Sequence, residues 1–163
     1  MSVNEKKEQV YRFLDQLGIE YTRHEHPAVF TLEEAKEHWQ DLKGAQCKNL
    51  FLRNDKGNRH FLVVLEGEKK ADLKEIADKL GAGRLSFASA SRLDRYLGLE
   101  AGSVSPFGLI NDGEQEVEVV LDKDLKKAEA INFHPNVNTA TITLSYADFE
   151  RFLQACGNNI VYI

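Results

Sequence analysis

CKNLFLRNDKGNRHFLVVL, residues 47–65, decides the fold. Cys47 to Arg53 and His60 to Leu65 are apolar runs of strand length, and Asn54 to Arg59 between them is dense in turn formers. The pair predicts a hairpin. Leu50-Phe51-Leu52 is uninterrupted, which predicts cover on both faces of the sheet. Toward the N-terminus, Val10, Phe13, Leu14 and Leu17 recur at helical spacing before Gly18, predicting an amphipathic helix over residues 4–17. Ile19 to His24 alternates like a strand, His26-Pro27 turns the chain, and Thr31 with Glu34 forms a capping box that opens a short helix to about Trp39. Toward the C-terminus, Glu68 to Leu80 carries Leu73, Ile76, Ala77 and Leu80 on one face and ends at Gly81, a helix crossing back over the sheet.

Arg84 to Phe87 reads as a short strand, and Ser89 caps a helix ending near Leu97-Gly98. Val117 to Leu121 and Thr139 to Leu144 are further strands, Lys123 to Ala130 a short helix, and Ser145 with Asp148 opens a final helix, Tyr146 to Cys156. Strands and helices do not alternate strictly. The expected class is therefore α/β with a mixed sheet flanked by helices, in a single domain over residues 1–163, rather than a doubly wound parallel sheet.

With 163 residues, 42% of them hydrophobic and 29% charged, the composition is globular and excludes a disordered tail or a coiled-coil rod. No apolar run approaches the ~20 residues of a membrane helix. The start, MSVNEKKEQV, lacks the apolar stretch of a secretory signal, so a cytoplasmic location is expected. Cys47 and Cys156 are too far apart for a CxxC motif, and a sparse pair suits a reducing compartment. The net charge of −5 argues against indiscriminate nucleic-acid binding. It is unevenly spread: residues 1–39 carry −3, residues 40–100 carry +3 and residues 101–163 carry −5. The middle third can touch a small piece of nucleic acid, and solvated helix faces explain the same asymmetry.

Catalytic signatures such as GxSxG, HExxH, a Walker loop or GxGxxG are absent from the sequence. His24 and His26 share a strand face, but no third ligand stands at helpful spacing, so no metal is expected. Lys48 and Asn49 are adjacent at a strand end, so one of them points toward the interior. A lysine there either snorkels to solvent or occupies a polar cleft. Gly102-Ser103-Val104-Ser105-Pro106-Phe107-Gly108 is small and constrained; it is either a tight turn or a set of backbone N–H groups open to an oxyanion. His134 precedes Pro135 and is surrounded by Asn132, Asn136 and Asn138, a pattern shared by polar loops and binding sites.

Taken together, these segments resemble the YbaK/ProRS-editing superfamily. The resemblance rests on HPAVFT (26–31), KNLFL (48–52), GRLSF (83–87), GSVSPFGLIND (102–112) and NFHP (132–135), and spans about residues 5 to 155. Within it the chain is most similar to the free-standing ProXp-ala or PrdX proteins. The resemblance implies an aminoacyl-tRNA deacylase, a carboxylic ester hydrolase that removes alanine mischarged onto proline tRNA without cofactor or metal. Its assigned site residues would be Lys48 holding the tRNA end, Asn49 orienting the substrate, Gly102 contributing backbone donors and His134 shaping the pocket. His26, Phe30, Ser103, Pro106 and Asn138 would contact substrate. The ribose 2'-hydroxyl would help activate water, which explains the missing nucleophile. Implied partners are the acceptor end of mischarged proline tRNA, transiently prolyl-tRNA synthetase or an elongation factor, and no membrane. A YbaK-type cysteinyl-tRNA(Pro) deacylase, a non-catalytic binding module and a thiol enzyme using Cys47 beside Lys48 are the competing readings.

Overall fold

A computed structural model describes residues 2–28 and 44–163. The expected 31–39 helix and Phe30 lie outside the described residues. Helix α1 (Val3–Gln16) starts at Ser2, whose hydroxyl accepts from the Glu5 amide at 3.2 Å, and buries Val10, Tyr11 and Leu14. Strand β1 (Tyr21–Glu25) follows, and the hairpin forms as β2 (Cys47–Asn54) and β3 (His60–Glu66), with Cys47 opposite Glu66 and Arg53 opposite His60. Helix α2 (Leu73–Leu80) is shorter than the predicted Glu68 start. Asp72 caps it by accepting from the Glu75 amide, while Lys69 is drawn to Asp122 and Asp124 at 2.7 and 2.6 Å. Those ion pairs hold the chain before Asp72 off the helix.

Strand β4 (Leu85–Phe87) and helix α3 (Ala90–Leu97) match expectation, with Ser89 as the cap. A 3-10 helix over Pro106–Asn111 leads to β5 (Val117–Leu121). The helix expected over 123–130 is only a 3-10 turn, Lys123–Lys127, after which Ala130–Phe133 forms β6. Then come β7 (Ala140–Ser145), α4 (Tyr146–Cys156, capped by Ser145) and a short β8 (Ile160–Tyr162).

The strands make two sheets. One is antiparallel in the order β1-β7-β6; the other is mixed in the order β4-β2-β3-β5-β8, with β3–β5 and β5–β8 parallel. Ala45 joins them, its amide donating to the Ala130 carbonyl at 2.8 Å and its carbonyl accepting from Asn132 at 3.1 Å. The start of β2 is thereby held beside the end of β6. Alternation on β2 and β3 separates two cores. Phe51, Leu62 and Val64 face the larger one with Phe107, Phe133, Ile142 and Phe149, while Leu52, Phe61 and Val63 face α2 through Ile76 and Ala77. The double cover predicted for β2 is present.

Candidate functional site

The adjacency of Lys48 and Asn49 is resolved by the pleat, which puts successive side chains on opposite faces. Asn49 is on the Cys47–Phe51 face and enters a narrow cleft. Lys48 is on the other face, where its ammonium donates to the Lys69 carbonyl. The cleft lies where β2 meets β6 and β7 and is lined by Cys47, Asn49, Asn132, Phe133, His134 and Thr141. Its volume is about 40 Å3, and it is partly open to solvent. A much larger groove, about 1120 Å3, runs along α1 and β1 and contains none of these residues.

His134 stands at the end of β6 with its Nδ1 2.9 Å from the Ala140 carbonyl. A carbonyl only accepts, so Nδ1 carries the hydrogen and Nε2 of the neutral ring is a free acceptor. Burial holds this imidazole below the usual histidine range; the Ala140 bond opposes the shift and His26 adds to it. His26 is fixed in the same way, its Nδ1 on the Pro27 carbonyl at 2.8 Å and its Nε2 on the Thr141 hydroxyl at 2.9 Å. The His26 and His134 rings are 6.0 Å apart. The structure thus gathers His26, Asn49 and His134 around one cleft, with Asn132 and Thr141 added.

The glycine loop reaches the same region through packing. Phe107 stacks edge-on against Phe133 at 6.0 Å and Phe152 at 5.0 Å, contacts typically worth ~0.5–1.5 kcal/mol each beyond their buried area. Gly108 permits it, since a Cβ there would lie 2.7 Å from Leu99 and 3.1 Å from Leu97. Pro106 is buried at the first turn of the 3-10 helix, and Ser103 is buried just before it. Gly102 is exposed with φ +90, in the left-handed region. The Ser103 amide donates to the Glu100 carbonyl and the Phe107 amide to the Ser105 hydroxyl. Among the described residues, the amides of Gly102, Val104 and Ser105 donate to nothing. Asn138 is half-buried in the β6–β7 turn, where Asn136 takes φ +62.

Cys47 was the sequence's one nucleophile beside a cation. The pleat separates it from Lys48, and burial, followed by Glu66 and Asp122, pushes its thiol up to about 12. It is a neutral thiol at pH 7, which removes the thiol-enzyme reading. Among the described residues, the rest of the lining is amide, hydroxyl, the Phe133 ring and a neutral imidazole whose Nε2 is open to accept a proton.

Asn132 and Thr141 were not chosen as site residues from the sequence. The signal was present in Thr139 to Leu144, whose alternation puts Thr141 and Thr143 opposite Ile142 and Leu144. Asn132 required knowledge of β6, where it stands directly across from Thr143.

A fold with two linked sheets and a cleft of neutral hydrogen-bonding groups defines a substrate-positioning domain, and comparison with known proteins gives its family. Residues 26–152 match the model described as "Aminoacyl-tRNA editing domain", and the chain belongs to that family. It is 48% identical over 154 residues to the prolyl-tRNA editing protein ProX of Acetoanaerobium sticklandii, covering 93% of each chain. It is 39% identical over 150 residues to prolyl-tRNA synthetase associated domain-containing protein 1 of Danio rerio, covering 91% of this chain and 81% of that one. A crystal structure of a proposed trans-editing enzyme for prolyl tRNA synthetase shares the fold, with a TM-score of 0.73 at 21% identity and coverage of 99% and 98%.

Proposed function

We propose that this protein is a trans-editing deacylase that hydrolyses the ester of alanine mischarged onto proline tRNA, acting as a single domain in the cytoplasm. The observation that carries the reading is the size and chemistry of the cleft. A cleft of about 40 Å3, where a single water needs ~10–15 Å3, has room for a small aliphatic group such as a methyl. A proline ring, with two more ring carbons, is the less favoured guest. A synthetase pocket sized for proline rejects a smaller apolar amino acid by only ~1–3 kcal/mol per methylene, so a second, smaller sieve is chemically useful.

In this reading Asn49 and His134 orient the aminoacyl group, with His26, Ser103 and Asn138 shaping its surroundings. Gly102 opens a loop whose amides at Gly102, Val104 and Ser105, without acceptors among the described residues, would serve the carbonyl, and Pro106 fixes the loop. Lys48 holds the anionic tRNA end from the other face of β2. The substrate's 2'-hydroxyl helps activate water, since among the described residues the cleft is lined by no carboxylate. Transient contact with prolyl-tRNA synthetase or an elongation factor would deliver the substrate. A deacylation panel with alanine, cysteine, serine and proline on proline tRNA tests the assignment. Alanine should be removed fastest, and a preference for cysteine would assign the chain to the YbaK-type activity instead.

A further inference from the structure

Two polar atoms of residues lining the cleft are buried without a hydrogen-bond partner among the described residues: Oδ1 of Asn49 and Nδ2 of Asn132. Buried polar groups are almost always paired, because an unpaired one loses its hydration for nothing. Asn132 is 4% exposed, and its own Oδ1 is occupied by the Thr143 hydroxyl, which donates to it from the facing strand. With the amide in that orientation, Nδ2 is the end without a partner among the described residues. The backbone of Asn132 is tied as well, through its amide to Ala45. One unpartnered donor and one unpartnered acceptor therefore belong to residues that line the same small cleft.

An acceptor-only oxygen calls for a ligand that donates, and an N–H calls for one that accepts. An α-amino ester carries both on adjacent carbons, a protonated amine and a carbonyl oxygen. Resting on the deacylase reading above, we infer that the two amides divide the substrate between them. Asn49 Oδ1 accepts from the α-ammonium, and Asn132 Nδ2 donates to the ester carbonyl oxygen, with Thr143 as the positioning residue behind it. The methyl group then enters the enclosed end of the cleft.

Carbonyl contact makes the Asn132 bond strengthen as that oxygen gains charge during attack, in parallel with the loop amides beginning at Gly102. The Asn49 bond reads the amine and is indifferent to the ester. The two residues thus have separable effects. Asn49 confers selectivity for an amino acid over an α-hydroxy acid, and Asn132 confers rate on either.

The test is single-turnover deacylation of alanyl and lactyl esters of the same proline tRNA, each corrected for its spontaneous hydrolysis. The lactyl ester keeps the methyl and carbonyl and replaces the ammonium with a hydroxyl. A hydrogen bond to a charged group corresponds to roughly 10- to 100-fold, so the wild type should favour the alanyl ester by about that factor. Asn49→Ala should shrink the preference by slowing the alanyl reaction more than the lactyl one, whose hydroxyl makes only a neutral hydrogen bond to Oδ1. Asn132→Ala should slow both esters by at least about 10-fold and keep the ratio. Thermal unfolding of the same samples should show little loss for Asn49→Ala and a loss of about one hydrogen bond for Asn132→Ala, whose Oδ1 accepts from Thr143; serine replacements serve if either alanine variant unfolds. Equal slowing of both esters by Asn49→Ala, or rates within twofold of wild type for Asn132→Ala, would overturn the inference. Failure of the wild type on alanyl-tRNA(Pro) would instead overturn the deacylase reading beneath it.

Discussion

Gly102→Val separates the loop's part in the reaction from its part in the fold. Gly102 has φ +90 and is exposed, so valine meets a backbone conformation that costs an L-residue roughly 1–2 kcal/mol. For a chain of 163 residues that is a fall of about 2–8 °C in Tm. If the loop relaxes to escape the strain, its unoccupied amides move, and loss of one aligned oxyanion donor costs about 10² to 10³ in rate. Gly81→Val is the matched control. It lies at the α2 C-cap with φ +62 and open space around its Cβ position, so it suffers the same kind of backbone penalty away from the cleft. Single-turnover deacylation and thermal unfolding on both variants should show similar losses in Tm, with a rate loss of at least about 100-fold confined to Gly102→Val. A folded Gly102→Val enzyme with near-normal rate would refute the role of the loop. An equal rate loss in Gly81→Val would trace the effect to stability alone.

The remaining predictions address charge and protonation. His60 is buried under α3, where burial and then Arg92, Arg53 and Arg95 lower it to about 4 from 6.5. Between those values the unfolded chain binds the extra proton, so stability is full above about pH 6.5 and falls toward pH 4 by up to about 3 kcal/mol, read by urea unfolding across that range. A flat profile would contradict His60 as a neutral acceptor for Arg92, whose Nη1 lies 2.9 Å from its Nε2. Cys47→Ser should keep deacylation within a few-fold, and an alkylating reagent should act slowly on Cys47 at pH 7, as its thiol is raised to about 12. Lys48→Ala should raise KM for aminoacyl-tRNA more than it lowers kcat and reduce the slope of log affinity against log salt by about one phosphate contact, ~0.7. An unchanged slope would assign Lys48 only to its bond with Lys69.

Much of this architecture is legible in residue order. The hairpin at 47–65, the caps at Ser89 and Ser145 and the left-handed glycines at 81 and 98 depend on local chemistry, and the structure reproduces them. β6 is different: Ile131-Asn132-Phe133 offers one alternation, too short to separate from the Lys123–Lys127 turn before it. It becomes a strand by pairing with β7 and with Ala45, contacts far away in sequence. The start of α2 was misplaced for a related reason, since Lys69 is held by Asp122 and Asp124 more than 50 positions later. Within the cleft, Asn49 and His134 were visible as candidates, while Asn132 and Thr141 depended on the pairing of β6 with β7. The same pleat separates Cys47 from Lys48, so neighbours in sequence do not share an electrostatic environment.

The central claim is a size sieve, and the ratio of kcat/KM for alanyl-tRNA(Pro) over prolyl-tRNA(Pro), with one tRNA carrying both amino acids, measures it most directly. A cleft of about 40 Å3 favours a methyl group over a pyrrolidine ring in this account, so the ratio should exceed about 100. Comparable hydrolysis of both esters would contradict the account.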